Sequence, residues 1–181
     1  NSDGPPFSLV PLVCGSEGTL CLVTEIMVRL VSVPVCRSMV CAHFESVREA
    51  CQATGIALEH NPAAVVLMDG MLLDATRGNR EQSANRFWVE GRPGAVLAIE
   101  MYGGDQSQLR KREQAMCADL QAKGLGYACR DVAGDEIQRV WDLRKAGLGL
   151  LTGMPGDERP VTAIEDTAVA PADLPEYVDE I

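Results

Sequence analysis

Short apolar runs of strand length alternate with amphipathic segments of helix length, and this order constrains the fold of the 181-residue chain more than any other feature. Capping signals and a 3.6-residue apolar period mark helices between the strands. Such an order is typical of an antiparallel sheet covered by helices. We therefore predict an α+β fold, a ferredoxin-like antiparallel sheet with its helices on one face. The strands are expected at 36–44, 63–68, 95–102, 127–132 and 160–164.

Capping residues predict where the helices begin. Ser46 followed by Glu49 forms the pattern of a capping box. Asp69, Asp105 and Asp135 are expected to cap three later helices with their side chains, and a further short helix is expected to end near residue 88. Apolar spacing then predicts the buried side of two of these helices: Val47, Ala50, Cys51, Thr54 and Leu58 on the first, and Leu109, Met116 and Leu120 on the one after Asp105.

The first third of the chain has a different pattern. In Gly15-Ser16-Glu17-Gly18-Thr19-Leu20, two glycines flank a small polar segment, which lets a backbone pass close to a flat or charged group. The other interpretation of a Gly-x-x-Gly loop by itself is the more common one, an ordinary tight turn between two apolar segments. Residues 20–30 alternate and predict a half-buried strand. Pro34 then favours a domain boundary, so we expect one unit over residues 1–33 and a second over 34–181.

Charge and composition exclude several classes of function. A formal net charge of −10 argues against nucleic-acid binding, which depends on clustered Lys and Arg. No apolar run approaches the roughly 20 residues that span a bilayer, and no export signal is present, so we expect a soluble, cytoplasmic protein. The seven cysteines lack Cys-x-x-Cys spacing, and His43 and His60 lie 17 residues apart. We expect reduced thiols in or near the core, histidines without a catalytic task, and no metal site.

The segment from Leu12 to Ile26 resembles the end of the FAD-binding domain in FAD-linked oxidases of the glycolate oxidase and D-lactate dehydrogenase group. In that family a Gly-Ser-Glu-Gly-Thr-Leu loop runs along the flavin, and all six residues match here. Cys21 stands where the family usually has a glycine. The resemblance implies FAD as the cofactor of the intact protein, with cofactor-binding residues Gly15, Ser16, Glu17, Gly18 and Thr19.

The segment 141–149, followed by 164–171, resembles the C-terminal domain of the same family, and most of all the long bacterial members in which an iron–sulfur segment follows. The resemblance implies a fragment that holds the end of the FAD-binding domain and a substrate (cap) domain truncated at its C-terminus. It also implies an oxidoreductase that transfers hydride from a 2-hydroxy acid, such as D-lactate or glycolate, to flavin. The remaining FAD domain would precede Asn1. A histidine motif and an iron–sulfur cluster would follow Ile181.

One arginine is the strongest candidate for substrate binding. Arg144 falls in the middle of a predicted apolar helix face, where an unpaired guanidinium is costly and should meet a carboxylate. The other interpretation is an arginine whose stem packs on Trp141 while its head reaches solvent or an internal acid. In the resembling family a Trp-x-x-Arg segment supplies an arginine to the substrate carboxylate, which implies this role for Arg144. Lys145 is a weaker candidate. The apolar face comprises Ile137, Val140, Trp141, Leu148 and Leu151.

One alternative from another class stays open, because a ferredoxin-like domain can also be an interaction or small-molecule-binding regulatory module without catalysis. A flavin absorption spectrum of the full-length protein separates the two hypotheses. Under the first, the fragment alone is expected to be inactive and to lose FAD, since it holds only one loop of the flavin site. The partner is then a small 2-hydroxy acid, with an electron acceptor still to be identified. The location is cytoplasmic, with peripheral contact at the inner membrane as the other option.

Overall fold

Four strands form one antiparallel sheet in the computed structural model, which describes residues 7–14, 16, 18–153 and 168–180. The strands are β1 (Cys36–Phe44), β2 (Ala64–Asp69), β3 (Ala95–Gly103) and β4 (Ala128–Ala133). Their spatial order is β2-β3-β1-β4, and every neighbouring pair runs antiparallel. β1 and β3 occupy the centre, where Met39 lies opposite Glu100 and Val40 opposite Ile99. The α+β, ferredoxin-like prediction is confirmed. The strand expected at 160–164 lies outside the described residues.

Two helices, α2 (Val47–Glu59) and α4 (Gln106–Ala122), cover the face of the sheet that we call face one. The predicted caps are present: the Ser46 hydroxyl accepts from the Glu49 N–H at 3.2 Å, and Asp105 accepts from the Ser107 N–H at 2.9 Å. One detail was wrong, because Leu58 is exposed and alanines take its place in the buried stripe. The core of face one is apolar throughout: Val40, Ala42, Phe44, Ala50, Ala53, Ala57, Ala95, Leu97, Ile99, Met101, Leu109, Met116 and Leu120.

The opposite side of the sheet, face two, is also covered, by α3 (Gly70–Ala75), a 3₁₀ helix (Gln82–Arg86) and α5 (Glu136–Thr152). Helices therefore lie on both faces, which the prediction of helices on one face did not include. An apolar period shows which side of a helix is buried, but it does not say which face of a sheet that side will meet. The core of face two comprises Met39, Cys41, Met68, Leu72, Leu73, Trp88, Val96, Ala98, Val132, Ile137, Val140 and Leu143.

The start and the buried side of α5 differ from the prediction. Asp135 is the residue before the helix, but its side chain makes no capping hydrogen bond. Asp69, by contrast, does cap α3, with its carboxylate accepting from the Leu72 N–H at 2.8 Å. The buried residues of α5 are Ile137, Val140, Leu143 and Gly147, so the buried side is turned away from the predicted one that ran through Leu148 and Leu151.

The segment before β1 does not join the sheet. A single helical turn, α1 (Val10–Val13), is followed by residues 20–35, which are neither helix nor strand and are exposed along most of their length. The half-buried strand predicted at 20–30 is therefore wrong. Alternation gives an extended segment one apolar side, but a strand also needs a neighbour for its N–H and C=O groups. Among the described residues, none pairs with this segment.

A last short helix, α6 (Leu174–Glu180), packs beside α2. Arg48 of α2 forms an ion pair with Asp179 and donates to the Pro175 carbonyl at 3.4 Å. None of the helices in the described ranges is long and apolar enough to cross a membrane.

Candidate functional site

A buried carboxylate on face two links the sheet to α5. Glu100 of β3 is 3% exposed, and one of its oxygens, Oε1, accepts from Arg37 Nε at 2.7 Å and lies 2.6 Å from Arg37 Nη2. The other oxygen, Oε2, accepts from the indole N–H of Trp141 at 3.0 Å. Both oxygens of a charge that would be costly to bury alone are thus satisfied. Trp141 is fixed on the sheet three residues before Arg144.

Two further contacts hold α5 in place. Arg139 donates to the Asn85 side chain at 3.1 Å and to the Ala84 carbonyl, both in the 3₁₀ helix. At the other end, a Cβ built on Gly147 would lie 2.5 Å from Leu72 Cδ1, so a larger residue there would require the Leu72 side chain to move where α5 packs against α3. Because α5 is fixed at both ends, the side chains on its outer edge have defined positions.

Arg144 lies on that outer edge. It is exposed rather than central to a buried face, so that part of the prediction was wrong: the apolar stripe of α5 runs through Leu143 and Gly147 instead. Within the part of the chain that the structure describes, the Arg144 side chain has no hydrogen bond or ion pair. It borders a surface pocket of about 250 Å³ between α5, β2 and α3, whose other lining residues are Leu67, Asp69, Leu72, Leu148 and Leu151. Lys145 is exposed and does not line this pocket.

The Gly-Ser-Glu-Gly-Thr loop is described only in part, since Gly15 and Glu17 lie outside the described residues. Ser16, Gly18 and Thr19 form a tight turn in which the Thr19 N–H and hydroxyl donate to the Ser16 carbonyl at 2.9 and 2.6 Å. Gly18 has a φ of +78°, and apart from its chain neighbours no atom of the described residues lies within 4 Å of where its Cβ would be. A flat ring can approach such an open backbone closely, so these residues fit one edge of a flavin site.

His43 is the buried titratable group at the other end of face two. Its Nε2 accepts from the Glu90 N–H at 3.1 Å, and its ring packs at 6.3 Å from Trp88 and 5.9 Å from Tyr127, between ring centroids. Burial lowers the pKa of His43, although the negative charge of Glu90 acts in the opposite direction. Because Nε2 accepts this hydrogen bond, the imidazole is neutral, with its proton on Nδ1. His60, in contrast, contacts Asp119 at 2.9 Å near the surface.

A second buried acid lies on face one. Glu113 of α4 is 4% exposed, and burial raises its pKa, while the nearby Ser38 hydroxyl lowers it. Both side chains border a groove with Arg110 and Asp131. Among the described residues, no group of three or more His, Cys, Asp or Glu could hold a metal ion, and the seven cysteines are free thiols.

Sequence reasoning did not identify Arg37 or Glu100. A signal was present, because Glu100 is the one charged residue in the apolar run from Ala95 to Met101. A lone carboxylate in a central strand needs a buried partner. The partners, however, come from 63 residues before it and 41 residues after it, so no local pattern pointed to them.

Residues 33–181 match the family described as FAD linked oxidases, C-terminal domain, and the chain belongs to this family of FAD-linked oxidoreductases. The D-2-hydroxyglutarate dehydrogenases of Pantoea ananatis and Escherichia coli K12 are each 28% identical over 192 aligned residues, which cover 99% of this chain and 19% of each relative. Glycolate oxidase subunit GlcD of Escherichia coli K12 is 35% identical over 150 residues, covering 79% of this chain and 28% of the relative. The chain thus spans about a fifth of the length of the first of these relatives.

Proposed function

We propose that this chain is part of an FAD-dependent enzyme that oxidises a 2-hydroxy acid, such as D-lactate or glycolate, with Arg144 binding the substrate carboxylate. The observation that carries the proposal is an exposed guanidinium without an ion pair in the described structure, at the rim of a pocket. A carboxylate is the group that best matches the planar donors of arginine. The family membership and the names of the relatives support the class of reaction.

In this proposal, residues 1–33 belong to the FAD-binding domain and residues 34–181 form the substrate domain. Bound FAD would accept the hydride that leaves the carbon bearing the hydroxyl, and a protein base would take the hydroxyl proton, which yields the 2-oxo acid. Ser16, Gly18 and Thr19 offer an open turn for close approach of the flavin, and Gly15 and Glu17 complete that loop. Arg144 fixes the substrate by its carboxylate, which holds the carbon–hydrogen bond in one orientation. Lys145 adds positive charge beside it.

Three further properties of the protein stay predictions. These are the iron–sulfur segment after residue 181, the cytoplasmic location with or without contact at the inner membrane, and the inactivity of the fragment alone. The fragment alone should be inactive because a flavin held by a single loop lacks most of the protein surface that would bury it. Purification of this fragment with one equivalent of bound flavin would contradict it.

The proposal is tested by Arg144→Lys in the full-length protein. Lysine keeps the charge but loses the two-pronged geometry, so we expect kcat/KM to fall about tenfold or more, equivalent to roughly 1.4 kcal/mol of transition-state binding. Flavin content, measured by absorbance, should stay near that of the unmodified protein, because Arg144 is exposed and fixes no other residue in the described structure. The matched control is Arg110→Lys, at an exposed arginine of α4 on face one, which should not change kcat/KM. Unchanged kinetics of the Arg144 variant would remove this residue from the site.

A further inference from the structure

The residues that line the pocket beside Arg144 indicate which substrate side chain would fit there. Resting on the proposed function, we propose that the enzyme prefers 2-hydroxy monocarboxylic acids with an aliphatic side chain over dicarboxylic 2-hydroxy acids. With the substrate carboxylate on Arg144, the other described residues that line the pocket are four leucines and one acid: Leu67, Leu72, Leu148, Leu151 and Asp69.

A second carboxylate would have no favourable place in this pocket. Among the described residues that line the pocket, Arg144 is the sole cation, and Lys145, the next residue of α5, does not border it. The acid Asp69 is held at the pocket wall, because its carboxylate accepts from the Leu72 N–H at 2.8 Å at the start of α3. A dicarboxylate would therefore place one negative group against leucines and near another negative group, without a partner of opposite charge.

An aliphatic side chain of the substrate, in contrast, matches the leucines that line the pocket. Leu148 is 58% exposed and Leu151 is partly exposed, so apolar surface lies open beside the guanidinium, whereas the Leu67 side chain packs against the core of face one. The volume of about 250 Å³ is slightly below the usual range for small-molecule pockets, about 300 to 1,000 Å³, and suits a small substrate. Each methylene that fills such a pocket typically changes kcat/KM by about tenfold or more.

The first experiment is a substrate series with the full-length protein and one artificial electron acceptor. We expect kcat/KM for D-2-hydroxy-4-methylpentanoate to exceed that for D-2-hydroxyglutarate by at least about tenfold, with D-lactate between them. A preference for D-2-hydroxyglutarate would overturn the inference and leave the proposed function intact. If no 2-hydroxy acid reduces the enzyme, the proposed function falls and the inference falls with it.

The second experiment introduces a cation into the leucine wall. Leu148→Lys should narrow the preference for the aliphatic over the dicarboxylic substrate by about tenfold, because the new ammonium group can pair with a second carboxylate. The side chain at this position is largely exposed, so the change should not prevent folding. The matched control is Leu58→Lys, at an exposed leucine near the end of α2 on face one, which should leave the substrate ratio unchanged. Equal ratios in the Leu148 variant and the unmodified protein would overturn the assignment of this pocket to the substrate side chain.

Discussion

The two faces of the sheet are built from the same strands but differ in what they bury. Face one, under α2 and α4, has an apolar centre, with Glu113 and Ser38 only at its edge. Face two, under α3, the 3₁₀ helix and α5, includes the Arg37–Glu100–Trp141 cluster and the buried His43 among its apolar residues. Arg144 lies at the rim of face two. Face one therefore supports the fold, and face two combines support with the positioning of polar groups.

This difference follows from the alternation of side chains along β3. Its odd-numbered residues from Ala95 to Met101 point to face one and are all apolar, while Glu100 points to face two. A buried charge contributes less to stability than an apolar residue of the same size, but it fixes the directions of its partners. A substitution on face one should accordingly lower the free energy of unfolding through lost packing. A substitution in the polar cluster of face two should lower it because a buried charge loses its partner.

The largest expected effect is on face one. Leu109 of α4 is fully buried and packs against Gly103 of β3, so Leu109→Ala should lower the free energy of unfolding by about 2 to 5 kcal/mol. The measurement is denaturant unfolding at pH 7. Leu58→Ala, at an exposed helical leucine, is the control and should cost less than about 1 kcal/mol. Similar losses in the two variants would mean that face one is not the packed face that the burial of Leu109 indicates.

A smaller effect of different origin is expected on face two. Arg37→Met removes the partner of the buried Glu100 and should cost about 2 kcal/mol at pH 7, less than for a fully buried pair because Arg37 is about half exposed. The double variant Arg37→Met/Glu100→Gln should recover part of the stability. If the double variant is less stable than Arg37→Met, charge compensation is not the role of Arg37.

The smallest expected effect is the pH response of face two. Burial lowers the pKa of His43 in the folded chain, while the unfolded chain takes up that proton at about pH 6.5. Below this pH the unfolded state binds more protons, so the free energy of unfolding should decrease as the pH falls, by up to about 1.4 kcal/mol per pH unit. Denaturant midpoints at pH 7.5 and 5.5 measure this difference.

The control for the pH response uses both histidines. His43→Gln should reduce the difference between the two pH values, because glutamine can still accept from the Glu90 N–H but does not titrate. His60→Gln, near the surface, should leave the contribution of His43 in place. An identical pH difference in the unmodified chain and in His43→Gln would contradict the assignment.

Much of the fold could be predicted because its signals are local. The four strands within the described residues and the caps at Ser46, Asp69 and Asp105 were all expected from a few neighbouring residues each. The prediction of a strand at 20–30 was wrong because apolar alternation is necessary for a half-buried strand but is not sufficient to form one. A family resemblance identified Arg144 as a candidate site residue. Arg37 and Glu100 were missed because their contact joins residues that are far apart in sequence.

The sequence by itself determined the period of each element, the caps that begin three helices, the strand segments and the membership of the FAD-linked oxidase family. Only the tertiary structure decided which strands pair, that helices cover both faces of the sheet, and that Arg144 stands exposed beside a leucine-lined pocket. The physical reason is that propensity and capping act within a few residues, whereas the rotation of α5 is set by distant partners. That rotation depends on two contacts, the hydrogen bond from Trp141 to Glu100 and the packing of Leu72 against Gly147. Both contacts exist only after the chain has folded.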